Sequence, residues 1–327
     1  MDEYRGKQVL ITGGLGFIGS NLAICLVKSG ASVTICDSLE PTCGANSFNI
    51  DPVRSDVTVI EADACDIDRM RRLVRGKEYV FSLAGHVSHS ESMTDPFSDL
   101  RMNTVAPLTV LEACRQENRD ARIIYTGTRQ CYGRSATLPL VETQPLNPVD
   151  VNGINKMAGE RYHNVYWMAH GISTVSLRLV NTYGPRQLVK HSRQGFAGWF
   201  IRQAIDGEEI LIYGDGQQLR DLNYVDDVVN ALLLAGVGGT LNGECLNLGG
   251  AAPLTLEEFV RVLLKITGKG AFRFVPFPSE ARSIDVGNAY SSFENFQSLT
   301  GWTPRISIEE GLARTVEYYR QYRAHYW

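Results

Sequence analysis

Gly13, Gly16 and Gly19 stand between the apolar run Val9-Leu10-Ile11 and a second apolar stretch, Asn21 to Lys28, and Asp37 follows Gly19 by 18 residues. The run predicts a strand over Lys7–Ile11, a glycine-rich turn over Thr12–Gly19 and a helix over Asn21–Lys28 closed by Gly30. In such a turn one glycine lets the chain reverse, one lets the backbone approach a pyrophosphate, and one lets the helix lie on the strand. The helix N-terminus then offers free N–H groups and a partial positive charge to the phosphates. A second strand, Val33–Cys36, delivers Asp37 to a place where its carboxylate accepts hydrogen bonds from an adenosine ribose and repels a 2′-phosphate. Strand, turn, helix, strand and acid together predict binding of NAD rather than NADP, with Phe17 and Ile18 inside the binding turn. Two glycine registers fit: Gly14, Gly16 and Gly19 as G-x-G-x-x-G, or Gly13, Gly16 and Gly19 as T-G-x-x-G-x-x-G.

The elements that must position this turn continue along the chain. Strands are predicted at Val57–Glu61, Tyr79–Leu83, Arg122–Tyr125 and Ser173–Leu179, and helices at Ile67–Val74, Pro96–Cys114 and Ile154–His170. Alternation at this spacing predicts an α/β fold with a Rossmann-type, doubly wound parallel sheet. After residue 180 the pattern changes to Gly/Pro-rich turns with shorter elements. That change predicts a dinucleotide-binding domain over 1–180 and a smaller α/β substrate lobe over 181–327, with about 221–250 returning to the first domain.

Composition narrows the classes of partner. The 327 residues carry 44% hydrophobic side chains and a net charge of −4, enough apolar matter for a full core and no basic excess. The densest basic cluster, Arg69, Arg71, Arg72 and Arg75, shares one short helix and reads as a solvated face, so no nucleic-acid partner is expected. Seven scattered cysteines without a C-x-x-C pair suggest reduced, packed thiols. The N-terminus runs from charged residues straight into the first strand, and the apolar stretch Val225–Val237 is too short and too interrupted to span a bilayer. The expectation is a cytoplasmic chain with no membrane partner.

The phrase ITGGLGFIG, in the register of Gly13, resembles the extended branch of the short-chain dehydrogenase/reductase superfamily, whose members act mostly on nucleotide sugars. The resemblance runs the length of the chain. It implies that Asp63 and Ala64 border the adenine, that Leu83 and Ala84 line the cofactor, and that Asn103 is the asparagine of the following helix. Arg178-Leu-Val-Asn181-Thr-Tyr-Gly-Pro-Arg186 is similar to the segment bridging nicotinamide and sugar diphosphate. Tyr213-Gly-Asp-Gly216, Arg220-Asp221 and Tyr224-Val225-Asp226-Asp227 resemble the signature whose arginine holds the diphosphate, and Gly301-Trp302-Thr303-Pro304 resembles the tail motif. Substrate contacts implied in this way are His86, Ser92, Arg129, Asn181, Phe196, Tyr213, Arg220 and Arg282. A homodimer is implied as well, formed through the helices near 96–114 and 154–170.

Chemistry in that superfamily rests on a Ser/Thr, a Tyr and a Lys, the last two spaced Y-x-x-x-K on one helix so that both side chains point the same way. Thr128 and Lys156 match two of the three. Four residues before Lys156 stands Asn152, and none of the seven lysines has a tyrosine at that spacing. An asparagine orients a hydroxyl but cannot accept its proton. Lys156, alone or through a water, is one substitute base; His86 or His89, in the loop after a strand, is another. A structural or phosphate-binding role for the two histidines stands beside that reading. Their spacing has no supporting Cys or acidic partner pattern, so no metal site is expected.

Arg129 and Gln130 occupy the places where the related 4,6-dehydratases carry an Asp-Glu pair and UDP-glucuronate decarboxylases carry a glutamate at the second. Neither can act as a carboxylate acid or base. The resulting expectation is an NAD-dependent nucleotide-sugar epimerase that oxidises a sugar hydroxyl, at C4 by family habit, and reduces the ketone on its other face. A nucleotide-sugar dehydratase with a non-standard acid/base set remains open, as does a pseudoenzyme that binds NAD or a sugar nucleotide.

Overall fold

Alternate residues of the first strand go to opposite sides of one sheet: Val9 and Ile11 enter one apolar core, and Leu10 enters a second. A strand buried on both faces needs helices on both faces, and the computed structural model, which describes residues Asp2–Trp327, supplies them. The first half of the chain runs β1 (Gln8–Thr12), α1 (Phe17–Lys28), β2 (Ser32–Asp37), β3 (Val57–Glu61), α2 (Ile67–Val74) and β4 (Tyr79–Ser82). It continues through α3 (His89–Thr94), α4 (Pro96–Leu100), α5 (Ala106–Glu117), β5 (Arg122–Thr128), α6 (Val151–His170) and β6 (Thr174–Leu179).

The second half carries β7 (Asn181–Tyr183), α7 (Phe196–Asp206), β8 (Glu209–Tyr213), β9 (Leu219–Arg220), β10 (Leu222–Tyr224), α8 (Val225–Val237) and β11 (Cys245–Leu248). Then follow β12 (Leu254–Thr255), α9 (Leu256–Thr267), β13 (Ala271–Val275), α10 (Ser279–Ser283), α11 (Glu294–Thr300) and α12 (Ile308–Gln321). Seven strands form one parallel sheet in the order β11-β6-β5-β4-β1-β2-β3. Strand order reverses between β1 and β4, and ligands of such sheets bind beyond the strand ends at that point. The remaining strands pair two by two, β7 with β10, β9 with β12 and β8 with β13.

Several boundaries differ from the sequence reading in ways that matter for the site. Helix α1 starts at Phe17 rather than Asn21, because Gly16 in extended conformation already serves as its N-cap. Strand β5 extends to Thr128 instead of stopping at Tyr125, and so delivers Thr128 to the ligand end of the sheet. The helix predicted over 96–114 is instead two α-helical segments joined by a π-helical turn, Arg101–Val105. Helix α6 starts at Val151 rather than Ile154, because the Asp150 side chain accepts from the Gly153 N–H at 2.6 Å and caps it. Asn152 and Lys156 therefore share one face of one helix. Beyond residue 180, β11 joins the large sheet beside β6, and α8 packs on α1. Among the described residues no helix is long and apolar enough to cross a membrane, and all seven cysteines are free.

Candidate active site

One cleft opens over the β1/β4 switch point, floored by the glycine turn and walled by the ends of β2, β5 and β6. Gly13, Gly16, Phe17, Ile18 and Gly19 line it. Gly13 has φ +71°, and a Cβ there would stand 2.9 Å from the Ala84 backbone. A Cβ on Gly19 would lie 2.3 Å from the Gly13 carbonyl oxygen. Gly14 instead turns towards the core, where a Cβ would meet Ile35 at 2.6 Å. The register counted from Gly13 is thus the one that faces the cleft. No side chain caps α1, so its first N–H groups stay free at the cleft floor. Asp37 ends β2 at the cleft wall, accepting from the Leu15 N–H at 2.9 Å and the Leu39 N–H at 3.0 Å. Burial pushes its carboxyl upward, and those two N–H groups pull it back.

At the other end Thr128, Asn152 and Lys156 line the same cleft. Lys156 is buried; its Nζ donates to the Thr126 carbonyl at 3.2 Å and lies 5.3 Å from the centre of the Tyr125 ring. Burial brings its pKa down to about 8, against the pull of Asp99. The Asn152 amide nitrogen donates to the His86 carbonyl at 2.8 Å and to Asp99 Oδ2 at 2.9 Å. Both of those atoms are acceptors, which fixes the amide orientation and commits both of its hydrogens. Asp99 is fully buried and also takes a hydrogen bond from Asn155 at 2.8 Å. Burial acts to raise its carboxyl, but the His86, Asn152 and Asn155 hydrogen bonds outweigh that and hold it below its ordinary range.

The two histidines part company. His86 does not line the cleft: its Nε2 lies 3.2 Å from Glu91 and its Nδ1 3.6 Å from Asp99. The Asp99 contact raises its pKa, with burial opposing and Glu91 assisting. His89 does line the cleft, with Nδ1 3.0 Å from Asp150 Oδ2. Arg129 and Gln130, next along from Thr128, are buried beside them. The Arg129 guanidinium donates to Asn181 Oδ1 at 2.7 Å, and the Gln130 amide to Asp150 Oδ2 at 2.8 Å. A short crossing over the cleft mouth closes the picture: Arg193 pairs with Glu91 at 2.7 Å, and Gln194, which lines the cleft, donates to the Thr42 carbonyl at 3.3 Å.

A family model described as "NAD dependent epimerase/dehydratase family" matches residues 9–249. The chain belongs to the NAD-dependent epimerase/dehydratase family. Among curated relatives it is 30% identical over 319 residues to a UDP-glucose 4-epimerase of Mycolicibacterium smegmatis, covering 96% of this chain and 98% of that one. It is 28% identical over 327 residues to a dTDP-glucose 4,6-dehydratase of Streptomyces niveus, covering 97% and 94%. The crystal structure of a UDP-glucose 4-epimerase from Thermotoga maritima with UDP-glucose superposes with a TM-score of 0.88 at 31% identity, covering 97% of this chain and 99% of that one.

NAD is the cofactor of this family, and the residues present fit it. The glycine cradle has no space for side chains, the α1 N–H groups are free for phosphate, and Asp37 stands where a ribose hydroxyl would be received. Other members of the implied family set fall into two groups. Ala64, Leu83, Ala84, Arg129 and Asn181 line the cleft with the residues above. The rest lie behind or beside it. Asp63 takes the Cys65 N–H at 2.8 Å and pairs with Arg101, so Ala62 and Ala64 reach the cleft in its stead. Asn103 clamps the loop after β4, accepting from the His86 N–H at 3.1 Å and donating to the His86 carbonyl at 2.9 Å. Ser92 is fully buried, donates to the His89 carbonyl at 2.8 Å and accepts from the Asn152 N–H at 3.2 Å.

Among the implied substrate contacts, Phe196 packs edge-on against Phe200 and Phe259. Tyr213 is half-exposed at the end of β8, against Phe277. Arg220 is buried and ion-paired with Asp285 at 3.2 Å, and burial brings its pKa down to about 10. Arg282 sits on α10, its carbonyl accepting from Arg134 at 3.3 Å. Asp99 and Asp150 were missed in the sequence. Asp150 carried a signal, an acid three residues before a helical N–H, as an N-cap does. Asp99 carried none, being the one acid of a five-residue helix whose Asn152 and Asn155 partners lie more than fifty residues away.

Proposed function

We propose that the protein is a nucleotide-sugar epimerase that oxidises a sugar hydroxyl, most naturally at C4, to a ketone and reduces it on the other face. The observation that carries this reading is the meeting of Thr128, Lys156 and Asn152 in the cleft whose far end is the glycine cradle and Asp37. When bound, NAD supplies the two-electron oxidant for the sugar carbon and returns the pair later in the cycle, so no second redox partner is called for. Thr128 Oγ1 accepts from the Gln130 N–H at 3.2 Å, which leaves its hydroxyl hydrogen for the sugar oxygen. The Lys156 ammonium favours negative charge developing on that oxygen. Asn152 takes the place that the family gives to tyrosine. With its nitrogen committed to Asp99 and His86, it presents an amide oxygen that can orient a hydroxyl and cannot take its proton.

The dehydratase reading is weaker, because Arg129 and Gln130 replace the acids that an elimination needs and are tied to Asn181 and Asp150. Purified protein given UDP-, GDP-, CDP- and dTDP-sugars, with products read by NMR, tests the proposal. Interconversion of two epimers supports it; loss of water from the sugar, or no reaction with any of the four series, rejects it. Assembly as a homodimer through α4, α5 and α6 belongs to the same proposal. It is supported by an apolar exposed set on that side, including Phe97 at 79% and Met168 at 68% exposure.

A further inference from the structure

We propose that His89, oriented by Asp150, is the group that takes the sugar hydroxyl proton and gives it back, in the role that tyrosine fills elsewhere in the family. The proposal rests on the epimerase reading above. His89 opens α3, where Ser88 caps the helix by accepting from the Glu91 N–H at 3.2 Å. Its ring is thereby held just beyond the end of β4, on the ligand side of the sheet, in the cleft shared by Thr128, Asn152 and Lys156.

Asp150 faces the ring. Its side chain is wholly buried, held by the Gly153 N–H at 2.6 Å and the Gln130 amide at 2.8 Å, and His89 Nδ1 lies 3.0 Å away. Nδ1 makes no aligned hydrogen bond at the ring angle the structure shows, so the pairing is one of charge and proximity that a small turn of the ring completes; catalytic contacts are often misaligned before substrate binds. Burial would raise the Asp150 carboxyl, but the His89 contact, the Gly153 N–H and the Gln130 amide together hold it below its ordinary range. A carboxylate at Nδ1 selects the tautomer with hydrogen on Nδ1 and a lone pair on Nε2. Because the ring is rigid and Nδ1 is buried, Nε2 is turned the other way, and 40% of the side chain is exposed.

The other candidates are spent. His86 has both nitrogens facing acids and lies outside the cleft. Lys156 is anchored on the Thr126 carbonyl, where it serves as a fixed cation. Asn152 has no proton-accepting group of useful basicity. The sugar O–H bond breaks and its proton goes to Nε2, giving an imidazolium paired with the Asp150 carboxylate. With NAD bound, the electron pair of the adjacent C–H bond would pass to it as the C=O bond forms. Once the ketone has turned its other face to the cofactor, the pair would return to carbon and the proton from Nε2 to oxygen, leaving His89 neutral.

The test is His89→Ala, assayed at saturating NAD and with the nucleotide sugar that the wild type interconverts. kcat is expected to fall at least ~100-fold, the order of a lost general base, with KM and NAD retention unchanged. Added imidazole should restore turnover in proportion to its concentration. Asp150→Asn keeps an oxygen for the Gly153 cap but not the negative charge, and should lower kcat without moving KM, with kcat compared at a temperature where the variant is fully folded because the Gln130 amide loses its acceptor. Turnover within a few-fold of wild type in His89→Ala overturns the proposal. So does a loss that imidazole does not rescue, which would make His89 a positioning residue. A wild type inert on every nucleotide-sugar series would instead remove the epimerase reading itself and this assignment with it.

Discussion

Lys156 and Asn152 were legible as a pair only through the family resemblance, which sets a Tyr and a Lys four residues apart, and what surrounds them was not legible at all. The Asp99 carboxylate that receives the Asn152 amide comes from a different helix and has no local signature. This changes what restoring tyrosine should do. A phenol at 152 has one hydrogen to give where the amide gives two, so Asp99 or the His86 carbonyl loses a partner in a buried place, at a cost of about 1–3 kcal/mol. Asn152→Tyr is therefore expected to lower the melting temperature and to leave kcat no higher than wild type, checked by thermal unfolding and by product NMR. Lys156→Met keeps much of the stem and removes the charge. It should reduce kcat by more than ~100-fold at saturating NAD, and wild-type turnover in that variant would remove Lys156 from the chemistry.

Most elements of the large sheet could be read from apolar runs, because strands buried on both faces and helices with one apolar side leave strong periodic signals. The ends were less legible, because caps and π-turns are set by single hydrogen bonds. The Gly13 register likewise needed the backbone: only then did Ala84 and the Gly13 carbonyl show why no Cβ fits. Gly19→Ala would place a methyl group 2.3 Å from that carbonyl, so the α1 start must move away from β1. NAD retention should fall at least tenfold, measured by fluorescence titration. Helix α6 also carries a pH dependence. His163 is buried, its Nδ1 2.8 Å from the Gly159 carbonyl, its ring stacked on Tyr125, and burial lowers its pKa to about 4. Its folded-state value lies below the ordinary 6.5, so the unfolded chain takes the proton first. Stability from this group is complete above about pH 6.5 and drains away as pH falls towards 4, by ~3 kcal/mol at most. His163→Phe, which keeps a ring for the stack, should flatten the fall of melting temperature over that interval relative to wild type.

For the whole molecule, the proposed dimer predicts a two-chain mass by light scattering at micromolar concentration. Phe97→Glu combined with Met168→Glu, both on exposed helix faces, should shift that mass to one chain with little change in the monomer's own core. The crossing at Arg193 and Gln194 has a different consequence, one of time. It reaches from the segment before α7 to Glu91 on one side and Thr42 on the other, straddling the cleft mouth. The expectation is that a dinucleotide lying on the glycine cradle leaves more slowly while these two contacts hold, however weak each is alone. On that expectation the residence time of NAD depends on the opening of a strap as well as on the strength of the cradle. Arg193→Ala with Gln194→Ala should shorten that residence while leaving the equilibrium preference for NAD over NADP, set at Asp37, where it was.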